Sequence, residues 1–259
     1  MEENNYYPIP YYNCQYGWRA RIGLIYPARG SLVEEYSRIA PEGVAFAVTR
    51  ISLEKTTVEV LQRMAGDLEA CARLVAENYP DVITFACTAG SLISGKAGYD
   101  QELIEKMEKA ASEVAGYPVP ASTTSTAMIA ALNHLKVKKL VLVTPYIDSV
   151  NQREKTFLED NGFEVLKIKT MGWEDSYKYA HVHYAYPYRL AKEGLIEVPE
   201  ADGAFISCTG WRSSDVVEML ENEFSKPVTN SNLATLWNAL DIIHLKEPIK
   251  GYGKLLREP

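Results

Sequence analysis

Three features of the first half of this chain recur in its second half in the same order. Arg21-Ile-Gly-Leu-Ile-Tyr-Pro27 is matched by Lys139-Leu-Val-Leu-Val-Thr-Pro145, each an apolar run ending at proline. Phe85-Ala-Cys-Thr-Ala-Gly90 is matched by Ile206-Ser-Cys-Thr-Gly-Trp211, each an apolar run leading into Cys-Thr and a small residue. Pro118-Val119, then Ser122 and Ala131-Leu132, corresponds to Pro227-Val228, then Ser231 and Ala239-Leu240, with one residue slipped. From proline to cysteine the interval is 60 residues in the first copy (27 to 87) and 63 in the second (145 to 208). A duplicated unit of this kind folds into two similar halves. An approximate two-fold axis between them brings equivalent strand ends together and sets Cys87 opposite Cys208.

Within each half, apolar runs of strand length alternate with amphipathic stretches of helical length, the pattern of βαβ units around a parallel sheet. Strands are predicted at 21–26, 44–48, 82–86, 119–121, 139–144, 164–168, 203–207 and 228–229. Helices are predicted at 56–78, 101–115, 125–135, 147–161, 186–195, 213–224 and 234–240. The fold class expected is α/β, with two pseudo-symmetric lobes, each a parallel sheet flanked by helices. Residues 1–121 with 230–259 are assigned to the lobe carrying Cys87, and 122–229 to the lobe carrying Cys208. In open parallel sheets ligands bind beyond the carboxyl ends of the strands, so the active site is expected in the cleft between the lobes.

The charge balance narrows the partners. A formal net charge of −7 and the absence of a long basic run remove the attraction that nucleic-acid binders rely on. No apolar window approaches the roughly 20 residues that cross a bilayer. The start, Met1-Glu2-Glu3-Asn4-Asn5, is acidic and polar where a secretory signal is basic and then apolar. A cytoplasmic protein is expected, with no nucleic-acid or membrane partner. A homodimer is the assembly to test first, and the Tyr-rich start, Tyr6 to Tyr12, is a candidate for covering the cleft or packing between subunits.

The four cysteines, Cys14, Cys71, Cys87 and Cys208, are too few and too widely spaced for a disulfide framework or a C-x-x-C zinc site. Cys71 lies on the apolar face of a helical pattern with Leu68, Ala72 and Val75 and reads as core, while Cys14 carries no signal. Cys87 and Cys208 each end an apolar strand ahead of Thr and a small residue, where free N–H groups and a helix dipole favour negative charge. A lowered thiol pKa is expected there, suiting the pair to attack on carbon or to removal of a proton from it. The hydroxyls of Thr88, Ser91 and Thr209 and the backbone N–H groups of Ala89, Gly90 and Gly210 serve either as helix caps or as ligands for a carboxylate. Tyr146 follows the second proline, placed to donate to a bound anion or to pack in the turn. Arg29 and Arg212 are candidates to pair with a second carboxylate. His134, His181, His183 and His244 show no metal-ligand spacing, and no metal site is predicted. The arginine of a cysteine phosphatase is absent, since Ile93 and Ser214 fill its place, and no glycine-rich nucleotide loop occurs.

Together these residues resemble the aspartate/glutamate racemase superfamily, in particular its branch of arylmalonate decarboxylases and maleate cis-trans isomerases. The resemblance is carried by Arg21 to Pro27, Ala86-Cys-Thr-Ala-Gly-Ser91, Ser125-Thr-Ala127, Thr144-Pro-Tyr-Ile-Asp-Ser-Val-Asn151, Ser207-Cys-Thr-Gly210, Pro227-Val228 and Gly251-Tyr-Gly-Lys-Leu255. It implies an enzyme without metal or organic cofactor, with a cysteine from each lobe on opposite faces of a small carboxylate substrate. Pro27, Ala28, Thr88, Ala89, Gly90, Tyr146, Thr209 and Gly210 are then the expected substrate-binding residues, and Cys87 and Cys208 the catalytic ones. Racemases of this kind take a proton with one thiolate and return one from the opposite thiol; maleate isomerases add a thiolate to the alkene. Arylmalonate decarboxylases place glycine where this chain has Cys87, and maleate isomerases carry asparagine where it reads Ala28-Arg29-Gly30; Ala89 replaces a serine. The reading is therefore an isomerase or racemase of a small mono- or dicarboxylate. The alternatives are a decarboxylase of a substituted malonate and a carboxylate-binding protein without chemistry.

Overall fold

Two apolar runs flanked by apolar neighbours, one in each half, become the most buried strands of two sheets. The structure, a computed structural model, describes residues 17–30, 33–96 and 98–259; the Tyr-rich start and Cys14 lie outside the described residues. The strands are β1 (Ala20–Pro27), β2 (Val44–Ile51), β3 (Val82–Phe85), β4 (Ala121–Thr123), β5 (Lys139–Thr144), β6 (Glu164–Thr170), β7 (Gly203–Ile206) and β8 (Val228–Asn230). Helices follow as α1 (Val33–Ile39), α2 (Val58–Met64), α3 (Leu68–Ala76), α4 (Thr88–Leu92), α5 (Tyr99–Ala115), α6 (Thr124–His134), α7 (Asp148–Asp160), α8 (Ser176–Ala180), α9 (Ala185–Glu197), α10 (Ser214–Phe224), α11 (Ser231–Ile242) and α12 (Lys254–Arg257). Among the described residues, no helix is long and apolar enough to cross a membrane.

The duplication read from the sequence is a duplication of topology. The sheets run β2-β1-β3-β4 and β6-β5-β7-β8, the same order, and every pairing is parallel. Ile22 to Ile25 pair with Val82 to Phe85, and Leu140 to Val143 with Gly203 to Ile206. All of these residues are buried, the all-round apolar character that parallel strands covered on both faces require. Because the register is equivalent, Cys87 and Cys208 each stand two residues beyond the end of their strand.

Helices α6 and α11, which leave equivalent strands, pack against each other, and Thr124 Oγ1 and Thr235 Oγ1 share a hydrogen bond of 2.9 Å. Each begins with the same device: Thr123 Oγ1 accepts from the Thr126 N–H at 3.2 Å, and Asn230 Oδ1 from the Leu233 N–H at 2.8 Å. α11 also lies against β3 and β4 of the opposite sheet, so the two halves share one packed interior.

Three departures from the sequence reading have local causes. The single helix predicted over 56–78 is two, α2 and α3, joined by a 3₁₀ turn at Ala65–Asp67; Gly66 and Asp67 are weak helix formers. The break lets α2 aim Leu61 toward the cleft while α3 buries Cys71 with Leu68, Ala72 and Val75, as expected for Cys71. β4 begins two residues late, because Pro118 and Pro120 have no N–H for the ladder, although the Pro120 carbonyl still accepts from Ile83 at 2.9 Å. Helices α1, α4, α8 and α12 were not predicted; at 7, 5, 5 and 4 residues they are too short to show a period.

Candidate active site

A small cavity opens where the carboxyl ends of both sheets meet, and Cys87 and Cys208 both line it. Cys87 is the extended residue before α4, with φ −148°, whereas Cys208 sits at φ +102°, a conformation that an L-residue holds only when its surroundings impose it. The two thiols nonetheless have like neighbours: the Gly90 N–H favours the thiolate of Cys87, and the Gly210 N–H that of Cys208. A Cβ at position 90 would meet the flexible end of Met64, which would have to move aside.

Hydrogen bonds tie the two strand ends to one another. Ser231 Oγ accepts from the Cys208 N–H at 2.9 Å and shares a 2.7 Å hydrogen bond with Thr88 Oγ1. In the opposite sense, Thr209 Oγ1 donates to the Ala86 carbonyl at 2.9 Å, and the Tyr26 hydroxyl donates to the Thr209 carbonyl at 2.7 Å. The proton of the Thr209 hydroxyl is thereby committed to the protein, so its hydroxyl fixes the geometry and cannot also donate to a ligand. On the second half, the Tyr146 and Tyr179 rings meet edge to face at 6.3 Å, and both hydroxyls favour the thiolate of Cys208.

The electrostatics correct one expectation. Both thiols are pushed up to about 12, where a lowered value was predicted. Burial is the dominant cause for each: Cys87 and Cys208 are 4% and 6% exposed, in a cavity whose walls are largely apolar, and desolvation penalises the thiolate. The opposing contributions are the Gly90 N–H at Cys87, and at Cys208 the Tyr146 hydroxyl, the Gly210 N–H and the Tyr179 hydroxyl. A thiolate on Cys208 also raises Cys87, so the pair is suited to one thiolate and one thiol.

Of the residues predicted from sequence, Pro27, Thr88, Ala89, Tyr146, Thr209 and Gly210 line the cavity with the two cysteines; Ala28 and Gly90 do not. Ala28 is exposed on a turn, its N–H bound to the Ile51 carbonyl at 2.8 Å, and Gly90 lies beneath Cys87. Ser91 is turned away, its hydroxyl donating to the Thr88 carbonyl and accepting from the Ser125 N–H. Arg212 is held at the surface by Asp215 at 2.8 Å and is absent from the lining. Arg29 reaches the rim, where it donates to the Glu54 carbonyl at 2.8 Å and lies 3.8 Å from Asp175. His181 bonds to the Tyr177 carbonyl in α8, and His183 accepts from the Ala185 N–H at the start of α9. Sequence reasoning missed Tyr26, Leu53, Thr56, Leu61, Ser176 and Tyr179, all in the lining. Tyr26 had a usable signal, standing next to Pro27 as Tyr146 stands next to Pro145. Tyr179 had none, because the segments after β2 and β6, though equivalent in topology, share no sequence pattern.

Two parallel α/β halves thus each bring one thiol to a single shared cavity. The chain belongs to the arylmalonate decarboxylase family, whose model matches residues 22–256. It is 26% identical to a maleate isomerase of Nocardia farcinica over 247 residues, covering 92% of this chain and 96% of the relative. It is 27% identical to the arylmalonate decarboxylase of Bordetella bronchiseptica over 239 residues, with the same coverage. The fold superposes with a TM-score of 0.81 at 23% identity, over 92% of this chain and 98% of the other, on a solved structure of the Nocardia farcinica isomerase. That protein is a cysteine-to-serine form holding a covalently bound succinylcysteine intermediate. The protein is therefore an enzyme of this family.

Proposed function

We propose that this enzyme is a cis-trans isomerase of a small unsaturated carboxylate, with Cys87 as nucleophile and Cys208 as proton donor. The single observation that carries the reading is the pair of thiols, one from each half, that line one cavity. Cys87 Sγ, as thiolate, forms a bond to one alkene carbon while the π pair takes the Cys208 proton at the other, giving a saturated thioether. The former double bond is then free to rotate. The Cys208 thiolate removes the proton, the electron pair re-forms the alkene, and the Cys87 thiolate leaves, so that both sulfurs return to their starting states. Backbone N–H groups of Thr88, Ala89 and Thr209 together with the Tyr146 hydroxyl are placed to hold the carboxylate and to accept charge that develops on it.

Proton NMR of the enzyme in deuterium oxide with maleate and a panel of other unsaturated and α-substituted acids tests this. Conversion of a cis acid to its trans isomer is expected; exchange of an α-hydrogen without change of double-bond geometry would replace the reading with racemisation. A second reading has its own support: Leu53, Leu61 and Pro27 give the cavity an apolar wall, and Arg29 at the rim is its sole charged lining residue among those described, which suits an apolar substituent on a substituted malonate. Carbon dioxide release during turnover distinguishes that decarboxylase.

A further inference from the structure

The helix that follows the first strand of each half reaches across to the cysteine of the other sheet. α1, which follows β1, carries Glu35 and Tyr36, both buried, and together they hold Asn232: its Nδ2 donates to Glu35 Oε2, and its Oδ1 accepts from the Tyr36 hydroxyl at 2.9 Å. Asn232 adjoins Ser231, whose Oγ accepts from the Cys208 N–H at 2.9 Å. The Tyr36 ring also meets the Tyr26 ring edge to face at 6.4 Å, and the Tyr26 hydroxyl donates to the Thr209 carbonyl. One turn beyond Glu35, Arg38 pairs at 2.8 Å with Asp215 in the first turn of α10.

α7, which follows β5 of the second sheet, packs against α4 of the first half. Its half-buried Arg153 donates from Nη1 to the Ile93 carbonyl at 2.7 Å. Ile93 closes α4, the short helix that begins directly after Cys87, and its carbonyl is one of those that a helix end leaves without a partner inside the helix. The two grips differ in what they must do. Cys208, at φ +102°, holds a conformation that its surroundings impose, and the hydrogen bonds on either side of it, at its own N–H and at the Thr209 carbonyl, are both backed by α1. The Glu35–Asn232 contact is buried, where a hydrogen bond is stronger than in water. Cys87 is extended and unstrained at φ −148°, so tying the far end of α4 is enough.

We propose that α1 and α7 are reciprocal clamps, each fixing the thiol that belongs to the opposite sheet. Glu35 is the positioning residue for Cys208, acting through Asn232 and Ser231, and Arg153 is the positioning residue for Cys87, acting through Ile93 and α4. The separation of the two sulfurs is thus set by the joining of the halves. The clamps go beyond the reaction assigned above, which uses neither side chain.

The test alkylates the full chain with iodoacetamide under native conditions and follows the peptides bearing Cys71, Cys87 and Cys208 separately by mass spectrometry. Glu35→Ala is expected to speed labelling of Cys208 about tenfold, because the lost hydrogen bond eases local opening of its loop, and to leave Cys87 within about twofold. Arg153→Ala is expected to do the reverse. Glu35→Gln and Arg153→Lys, which keep an acceptor and a donor in place, are expected to label as the unsubstituted chain does. Cys71, buried in α3 and absent from the cavity lining, reports global unfolding and is expected to keep its rate throughout. Should Glu35→Ala fail to fold, Glu35→Asp, which draws the carboxylate back from Asn232, takes its place with the same expectation. Equal acceleration of both cleft thiols, with or without Cys71, acceleration of the thiol on the clamp's own sheet, or no change at either overturns the proposal. Labelling needs no turnover, so the crossed pattern in a chain that isomerises no acid supports the clamps and sinks only the reaction.

Discussion

Cys208 sits at φ +102° and Cys87 at φ −148°, so equivalent positions in the two halves carry different backbone strain. Replacing an L-residue by glycine relieves a positive φ and costs stability elsewhere. Thermal unfolding should therefore find Cys208→Gly more stable than Cys208→Ala by about 1 kcal/mol, with the order reversed at position 87; a common order at both sites would mean that Cys208 is not strained. Glu154 yields a second prediction at this scale. Its folded-state pKa of about 7 lies above the ordinary value of 4.5, so the folded chain holds the proton more tightly than the unfolded one. Stability contributed by this group is full below about pH 4.5 and is lost as pH rises through about 7, a fall of about 3 kcal/mol. Glu154→Gln should flatten that part of a stability-against-pH curve measured by urea unfolding, and an unchanged slope would place the titration elsewhere.

At the scale of elements, the first residue of α11 joins the two cysteine loops. Ser231 Oγ accepts from the Cys208 N–H and bonds to Thr88 Oγ1, so Ser231→Ala leaves a buried donor unsatisfied. We expect a loss of about 1–3 kcal/mol, with turnover falling as the Cys208 loop loses its anchor, and Ser231→Thr recovering most of both. An alanine variant of unchanged stability and rate would show that this contact does not hold the loop. All eight strands were legible in the sequence, most plainly where an apolar run is closed by proline, threonine or a small residue, as in β1, β3, β5 and β7. The edges of those runs were less so: Pro118 and Pro120 shifted β4, and Gly66-Asp67 divided a helix whose apolar spacing runs on through the break. Helices α1, α4, α8 and α12 were invisible, since four to seven residues fit any period.

Across the whole molecule, the repeat was the decisive signal, because nearly equal proline-to-cysteine spacing in two copies placed the two thiols at the ends of equivalent strands. What it could not convey is what the copies do not share. Tyr179 comes from the segment after β6 and reaches the cleft through its hydrogen bond with Thr56, a contact between residues 123 apart that no local pattern encodes. Arg212 had the right position beside the cleft loop but the wrong partner, since Asp215 three residues on claims it. The thiol acidity was misjudged because strand-end N–H groups are readable in sequence, whereas the desolvation that outweighs them depends on how closely the two halves shut. The central claim is that two sulfurs act as one catalytic unit, and kinetics of Cys87→Ala, Cys208→Ala and the double variant on one converted acid test it most directly. Each single variant should lose about 10³-fold or more in kcat, and the double variant little beyond either. Near-native turnover in either single variant would contradict the account.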